Sequence, residues 1–288
     1  MNTKQGMQKF TIKDFDLKYP DDDTCLEWLR THRWPDGIEC PTCKKITKHH
    51  KITGRQAYAC DNCGHQVSPT AGTIFHKSAT PLRIWFEVIH RMASTRCGIS
   101  AKQIERETGV TYKTAWRMFK QIRTLLGEVN PMFTGKVEVD ETYIGGKRPG
   151  KRGRGASGKT AVIGIAQRQG KVSTNVVTDT KRSTVMPLIQ KNVAQKTTIF
   201  TDEYPTYDAL SNQGFEHKRC NHGSGEYVVG DVHTNTIEGF WSLVKRGISG
   251  VYHAVSPKYL QSYLNEYEFR YNHRNEETPM FDLFLDRI

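Results

Sequence analysis

Two pairs of cysteines stand close together in the first quarter of the chain. Cys40 and Cys43 form one Cys-x-x-Cys pair, Cys60 and Cys63 form another, and residues 44–59 separate them. Four thiolates at this spacing can close a tetrahedral zinc site of the zinc-ribbon type, which leaves no coordination position for water. We therefore expect one structural Zn²⁺ held by these four cysteines. Two unrelated surface pairs or a redox-active dithiol are the alternatives.

Three acidic residues farther along the chain are candidates for a second metal site. Asp140 follows the alternating segment 137–139, Asp202 follows the apolar segment 197–201, and Glu238 lies in a segment with helical periodicity. Two acids at strand ends and one on a following helix can hold two Mg²⁺ (or Mn²⁺) ions, which prefer oxygen ligands and retain positions for water and phosphate. One ion would activate an attacking hydroxyl and the other would stabilise the leaving oxygen. Taken singly, each acid is better explained as a turn residue or a solvated helix position, so the metal-site interpretation depends on the joint placement of the three.

Other polar residues flank these acids. Lys245 is two helical turns after Glu238, so the two side chains share a helix face with Asn235. This face would present a carboxylate to metal and an ammonium group to a DNA phosphate. Glu141 and Glu203 are weaker candidates for metal ligands, because adjacent side chains on an extended segment point in opposite directions.

The composition favours a polyanionic partner. The 288-residue chain has 42 Lys and Arg residues against 30 Asp and Glu residues, a formal charge of +12. Neutralised phosphates release condensed counterions, so this surplus favours nucleic acid, although charge alone does not separate DNA from RNA or an anionic membrane. The sequence has no apolar run of about 18 residues and no signal-peptide core. We therefore expect no membrane association and a cytoplasmic, nucleoid-associated protein.

The pattern of predicted elements divides the chain into four stretches. Residues 1–37 form an N-terminal helical segment with Thr24 as a candidate cap, and residues 38–72 form the zinc ribbon. Residues 73–130 are helical, and residues 135–288 alternate between strand and helix patterns. We expect a multidomain fold class, in which the small zinc ribbon and the helical segment precede an α/β domain.

The helical stretch contains a pattern typical of a helix-turn-helix. Ser100 and Thr111 are candidate helix caps, and Gly109 supplies the turn between the two helices. The second helix would direct four side chains towards DNA: Lys113, Thr114, Arg117 and Lys120. An ordinary helical hairpin is the alternative.

A run of glycines and basic residues separates the first two strands of the α/β stretch. Its candidate phosphate contacts are Lys147, Arg148, Lys151, Arg152 and Arg154. Lys245 and Arg246 on the Glu238 helix are further candidates. Such contacts contribute affinity but little sequence specificity. A solvated loop that keeps the protein soluble is the alternative.

These motifs together resemble the IS1595/ISXO2-like family of insertion-sequence transposases, and the similarity covers nearly the whole chain. The segments that carry it are 34–43, 70–75, 139–146, 201–204 and, most specifically, 233–247. The family implies an N-terminal zinc ribbon and an RNase H-like catalytic domain with a DDE-type triad. Carried over to this sequence, the three acids are Asp140, Asp202 and Glu238, and Lys245 is the basic residue that follows the third.

The resemblance implies a DNA transposase that binds insertion-sequence ends and catalyses metal-dependent cleavage and strand transfer of double-stranded DNA. Because a transposase must pair two element ends, we expect a homodimer or a larger assembly on DNA. Some relatives have asparagine as the third ligand, and Asn235 lies one turn before Glu238. We favour Glu238, since a carboxylate binds Mg²⁺ more strongly than an amide, with Asn235 in an assisting role.

Two other functions are compatible with parts of the sequence. A catalytically inactive zinc-ribbon and helix-turn-helix regulator would bind DNA, but more than half of the chain would then have no role. A recombinase with a tyrosine or serine nucleophile would need a surrounding cluster of arginine and histidine, which the sequence does not suggest.

Overall fold

Nine α-helices and ten β-strands are found in the residues that the computed structural model describes, 9–128, 132–145, 158–220 and 232–288. The helices are α1 (Ile12–Lys18), α2 (Asp22–Arg33), α3 (Leu82–Ser94), α4 (Ala101–Thr108), α5 (Tyr112–Leu125), α6 (Arg182–Asn192), α7 (Asn235–Gly247), α8 (Pro257–Asn272) and α9 (Met280–Leu285). The strands are β1 (Glu39–Cys40), β2 (Lys45–Ile46), β3 (His49–Lys51), β4 (Tyr58–Cys60), β5 (Gln66–Val67), β6 (Lys136–Ile144), β7 (Thr160–Gln167), β8 (Val172–Val177), β9 (Thr198–Thr201) and β10 (Glu216–Arg219).

The described residues group into two compact units. The first comprises Met1–Thr95, Ala101–Leu125 and Glu276–Ile288, as far as they are described, and the second comprises Arg96–Ser100 and Leu126–Asn275. The C-terminal residues thus group with the N-terminal ones, whereas the sequence pattern extended the α/β stretch to the end of the chain. The four predicted domain boundaries stay predictions.

Aromatic side chains form the core of the first unit. Phe15, Tyr19 and Phe86 are almost fully buried. The centroid of the Tyr19 ring lies 5.8 Å from that of Phe15 and 5.1 Å from that of Phe86. α9 joins this core because Phe281 stacks on Phe10, with ring centroids 5.0 Å apart. Burial of such large apolar rings is a main source of the stability of a small helical unit.

The helix α2 begins earlier than the sequence analysis predicted. The Asp21 carboxylate accepts the backbone N–H of Thr24 at 2.8 Å, so Asp21 is the N-cap and Thr24 lies within the first turn. The proposed Thr24 cap was therefore wrong. Asp22 and Asp23 extend the helix upstream, since negative side chains are favourable at the positive end of a helix.

α4 and α5 are consecutive helices with a short turn between them. Gly109 has a φ of +74°, in the left-handed region, and Thr111 Oγ1 accepts the N–H of Thr114 at 3.3 Å. Ile104 and Ala115 are fully buried. These contacts are common to a helix-turn-helix and to an ordinary helical hairpin, so the helix-turn-helix stays a prediction.

A five-stranded mixed sheet forms the centre of the second unit, in the order β10-β9-β6-β7-β8. β6, β7 and β8 pair antiparallel, whereas β9 runs parallel to both β6 and β10. One set of buried sheet residues packs with α6, and another packs with α7 and α8. The prediction of an α/β domain is confirmed at this level.

Among the helices of the described residues, none has both the length and the apolar character needed to span a bilayer.

Candidate active site and zinc cluster

Two parallel strands bring Asp140 and Asp202 to the same edge of the sheet. In the parallel pairing of β6 with β9, Lys136 lies beside Thr198 and Glu138 lies beside Phe200. Each paired residue of β6 therefore lies beside the residue 62 positions later in the chain (198 − 136). Asp140 and Asp202 differ by the same 62 (202 − 140), two residues beyond the last pair. Asp202 follows the end of β9 as predicted.

Asp140 lies in the interior of β6 and not at its end. The strand continues because β7 pairs with β6 as far as Ile144, although the pairing with β9 has stopped at Glu138. The predicted strand end was therefore wrong, but Asp140 does lie beyond the end of the parallel pairing. That position leaves its side chain next to the residues that follow β9.

Glu141 joins the two aspartates. Carboxylate oxygens of Asp140, Glu141 and Asp202 all lie within 4.8 Å of one another. The expectation that Glu141 would point away from Asp140 was wrong. The pairing of β6 with β9 ends at Glu138, so the side of β6 that faces β9 is open at Asp140 and Glu141, and these adjacent side chains can converge there. The buried Tyr207 hydroxyl donates to Glu141 Oε2 at 2.9 Å and so orients that carboxylate. A cluster of three carboxylates offers the hard oxygen ligands that Mg²⁺ and Mn²⁺ prefer.

The Trp241 indole orients the Asp140 carboxylate. Trp241 lies on α7, and its Nε1 donates to Asp140 Oδ2 at 3.1 Å. Gly164 provides the space for this ring, because it pairs with Asp140 across β6 and β7 and has no side chain. A Cβ atom at Gly164 would lie 2.7 Å from Ile237 Cδ1 and would also collide with the Trp241 ring. Helical periodicity could not have revealed this bond, because it carries no information about the partner of a side chain on another element.

The surroundings of Asp140 raise its pKa from 3.8 to about 7. Burial contributes most to this rise in pKa, followed by the negative charges of Glu141 and Asp202. The charge of Glu238 makes the smallest contribution. Desolvation and like charges both penalise the ionised form of a carboxyl group. A bound cation would relieve this penalty, so the electrostatics fit a site for divalent metal.

Glu238 and Asn235 both lie in the first turn of α7, with exposed side chains. The Thr234 hydroxyl donates to Glu238 Oε1 at 2.6 Å. Glu238 is not among the three carboxylates that converge within 4.8 Å, but its charge contributes to the raised pKa of Asp140. The identity of the third metal ligand stays a prediction.

A buried carboxylate connects the first turn of α7 to β6. Glu138 has no exposed surface, and its Oε2 accepts the backbone N–H groups of Thr236 and Ile237 at 2.7 and 3.0 Å. Arg168 Nε lies 2.8 Å from Glu138 Oε1, and the guanidinium lies over the Phe200 ring, 3.9 Å from its centroid. This contact could not be predicted from the sequence, because strand alternation gives no sign of the partner of a buried acid.

The predicted DNA contacts fall in three parts of the chain. Lys113, Arg117 and Lys120 are exposed on α5 and Thr114 is half-buried, while Lys245 and Arg246 are exposed near the end of α7. Arg117 also donates to Ser78 Oγ at 3.3 Å and lies over the Trp85 ring, 5.6 Å from its centroid. Lys147, Arg148, Lys151, Arg152 and Arg154 lie outside the described residues. All of these contacts stay predictions.

Cys40, Cys43, Cys60 and Cys63 converge in the first unit. The Sγ atoms of Cys40 and Cys63 are 3.5 Å apart, those of Cys43 and Cys60 are 3.9 Å apart, and all four lie within 4.8 Å of one another. A tetrahedron with Zn–S bonds of about 2.3 Å has edges of about 3.8 Å. The four thiols therefore fit a single zinc ion.

The sequence matches two known domains and one relative along most of its length. Residues 20–66 match the transposase zinc-ribbon domain, and residues 132–272 match the ISXO2-like transposase domain. An uncharacterized protein in transposable element ISH50 of Halobacterium salinarum is 31% identical over 257 residues, which cover 83% of this chain and 86% of that protein. The chain belongs to the ISXO2-like transposase family. The predicted family is confirmed.

Two further similarities are more limited. An uncharacterized transposase-like protein of Haemophilus influenzae is 31% identical over 102 residues, which cover 35% of this chain and 81% of that protein. A chain in the cryo-EM structure of the simian T-cell lymphotropic virus intasome with PP2A regulatory subunit B56 gamma has 12% identity and a TM-score of 0.33, covering 64% of this chain and 70% of that chain. A TM-score this low does not show a shared fold.

The candidate residues of this ISXO2-like family member lie within the two matched domains. The zinc-ribbon match contains all four converging cysteines. The transposase-domain match contains Asp140, Glu141, Asp202 and Glu238.

Proposed function

We propose that this ISXO2-like family member is a DDE-type DNA transposase, which binds insertion-sequence ends and catalyses metal-dependent cleavage and strand transfer of double-stranded DNA. The observation that carries the proposal is the convergence of the Asp140, Glu141 and Asp202 carboxylates beside α7, within the matched transposase domain. The mixed sheet with helices on both faces supports an RNase H-like fold for this domain.

The residues of this site have distinct roles in the proposed reaction. Asp140 and Asp202 would hold two Mg²⁺ or Mn²⁺ ions, with Glu238 as the third ligand and Asn235 assisting. When bound, these ions supply charge stabilisation and nucleophile activation for in-line displacement at phosphorus. Trp241 orients the Asp140 carboxylate, which would ligate the metal in its ionised form; without metal its pKa in the surrounding cluster is about 7.

DNA binding is proposed for the basic surfaces of the chain. The net charge of +12 supports a polyanionic partner. The α4–α5 pair acts as a helix-turn-helix, and phosphates are bound by the basic segment that begins at Lys147 and by Lys245 and Arg246. One structural zinc ion in the ribbon completes the cofactor set, and pairing of two element ends requires a homodimer or a larger assembly.

Cleavage of a labelled duplex that carries the element's own end tests the enzymatic assignment. Wild-type protein is expected to cleave with Mg²⁺ or Mn²⁺ and to lose activity when these ions are omitted from zinc-containing buffer. Asp140→Asn and Asp202→Asn are expected to cleave about 1000-fold more slowly, equivalent to about 4 kcal/mol of transition-state stabilisation, while still binding the duplex.

Glu203→Gln is the matched control, because Glu203 is an exposed acid next to Asp202 and outside the converging cluster. It is expected to retain cleavage. Wild-type protein that binds the duplex but does not cleave it with either ion would favour the regulator. Undiminished cleavage by Asp140→Asn would rule out the proposed metal ligands.

The third metal ligand can be identified with the same assay. Loss of cleavage in Glu238→Gln, with Asn235→Ala only mildly affected, is the expected pattern. The opposite pattern would assign the role to Asn235. A loss in Glu141→Gln alone would assign it to Glu141, whose carboxylate the structure brings within 4.8 Å of the aspartates.

A further inference from the structure

Glu138 supplies the N-terminal hydrogen bonds of α7 from a distant strand. The first N–H groups of a helix have no partner within the helix itself. In α7, the N–H of Asn235 donates to His233 Nδ1 at 3.4 Å, and those of Thr236 and Ile237 donate to Glu138 Oε2. The residue just before the helix, Thr234, makes no side-chain capping bond. Glu138 therefore takes the place of a local cap.

The Thr234 hydroxyl contacts a side chain of α7 and not its backbone. Thr234 donates to Glu238 Oε1 at 2.6 Å and so orients a carboxylate of the candidate site. A usual N-cap side chain accepts the N–H groups at the second and third helix positions, which in α7 donate to Glu138. Glu138 thus fixes the backbone of the first turn, while Thr234 orients the Glu238 carboxylate.

The charge of Glu138 is compensated on two sides. Arg168 forms a 2.8 Å ion pair with it, and the positive end of the α7 dipole lies at its other oxygen. Arg168 also donates to the backbone carbonyl of His233 at 2.7 Å, and the Thr236 hydroxyl donates to Glu138 Oε1 at 3.0 Å. A buried carboxylate with this many donors is held in one position.

Glu138 also lies on the strand that carries the first aspartate. Glu138 and Asp140 are two residues apart on β6, so their side chains leave the same face of the sheet. α7 is held to that face at two points: its first turn by Glu138, and the next turn by the bond from Trp241 to Asp140. The placement of Glu238 relative to Asp140 depends on both points.

We propose that Glu138 is a positioning residue, which holds the first turn of α7 so that Glu238 and Asn235 face the two aspartates. Its carboxylate is fully buried and contacts neither metal nor DNA in this role. The proposal rests on the proposed function for the role of the site, but it predicts an effect on metal affinity that is measured without cleavage.

Thermal unfolding of the zinc-loaded protein with and without Mn²⁺ tests this role. A metal that binds the folded state raises Tm by an amount set by its affinity. Glu138→Gln preserves the volume of the side chain but removes its charge. Its Mn²⁺ affinity, obtained from the Mn²⁺ dependence of Tm, is expected to be about 10- to 100-fold weaker than that of wild type, as for other residues that orient metal ligands. Saturating Mn²⁺ is expected to restore much of the cleavage rate.

Glu266→Gln is the matched control. Glu266 is also a fully buried carboxylate with an arginine partner, Arg270 at 2.5 Å, but it lies on α8. This variant is expected to lower Tm equally with and without Mn²⁺, as a purely structural loss does. Thr236→Val removes only the hydroxyl bond to Glu138 and provides a milder second variant, with a smaller loss of Mn²⁺ affinity expected.

Wild-type Mn²⁺ affinity in Glu138→Gln would overturn the inference and leave the proposed function standing. If Glu138→Gln does not fold, unchanged affinity in Thr236→Val would overturn it in the same way. Wild-type protein whose Tm does not respond to Mn²⁺ would instead overturn the proposed metal site, and this inference with it.

Discussion

Asp140 and Asp21 show how the surroundings of an aspartate shift its pKa in opposite directions. Asp21 is exposed at the start of α2, where the backbone N–H of Thr24 stabilises its ionised form and lowers its pKa. Asp140 is partly buried beside two other carboxylates, and its pKa rises to about 7. The first environment favours a permanent negative charge, whereas the second favours a group that exchanges a proton for a cation.

The raised pKa of Asp140 predicts that stability without Mg²⁺ or Mn²⁺ falls as pH rises from 5 to 8. Between the unfolded pKa near 3.8 and the folded value of about 7, the folded state binds more protons, so the free energy of unfolding decreases with rising pH. Asp140→Asn removes this contribution. We expect a flatter pH profile for that variant and a higher Tm at pH 8, by about 2–4 °C for each kcal/mol recovered.

Thermal unfolding across this pH range, in zinc-containing buffer free of Mg²⁺ and Mn²⁺, measures the effect. Glu268 provides an internal comparison, because burial raises its pKa to about 7 as well, and Asp140→Asn leaves that contribution intact. Parallel pH profiles for wild type and Asp140→Asn would show that Asp140 ionises normally in the folded protein.

At the scale of elements, the close approach of α7 to β7 depends on Gly164. The Trp241 ring and Ile237 occupy the space where a Cβ atom of residue 164 would stand. Both side chains belong to α7, and Trp241 donates to Asp140. The absence of a side chain at one strand position therefore sets the distance between the helix and the aspartate.

Gly164→Ala is expected to destabilise the protein by about 1–3 kcal/mol, the usual cost of overpacking a core. It should also weaken Mn²⁺ binding, because displacement of Trp241 removes a hydrogen bond that orients Asp140. Gly239→Ala is the matched control, since a Cβ there meets no atom within 4 Å. That change should stabilise the helix by about 0.5–1 kcal/mol. Equal effects of the two substitutions on Tm would contradict this account of Gly164.

At the scale of the whole molecule, the two compact units have different sources of stability. The first contains the four converging cysteines together with an aromatic core, and the second is built on the mixed sheet. Small ribbons with few buried apolar residues depend on their metal, because metal binding contributes directly to the free energy of folding. The sheet of the second unit has apolar residues buried with helices on both faces.

Removal of zinc is therefore expected to act on the first unit. A zinc-selective chelator, or Cys63→Ser, should lower the calorimetric unfolding temperature of that unit by about 6–20 °C. This range corresponds to a loss of about 3–5 kcal/mol, at about 2–4 °C for each kcal/mol. The transition of the second unit should change little. Cys97→Ser is the control, because Cys97 lies outside the converging four. Loss of both units on chelation would indicate that the second also needs zinc.

Several features of the site follow from the sequence because their chemistry is local. Two Cys-x-x-Cys pairs can be recognised without knowledge of the fold, since a zinc ribbon requires that spacing. The strand before Asp202 and the helix that carries Glu238 follow from short-range periodicity. The motifs around them were sufficient to identify the family.

Contacts between distant parts of the chain could be found only in the tertiary structure. Glu138 and Thr236 are 98 residues apart, and Asp140 and Trp241 are 101 apart, yet each pair forms a hydrogen bond. Strand register and helix docking decide such pairs, and periodicity carries no information about either. The residue types of the candidate ligands, the local elements and the family could be predicted from the sequence. The fold decided that Glu141 joins the aspartates and that Glu138 caps α7, because both depend on where the pairing of β6 and β9 ends and on how closely α7 packs against the sheet.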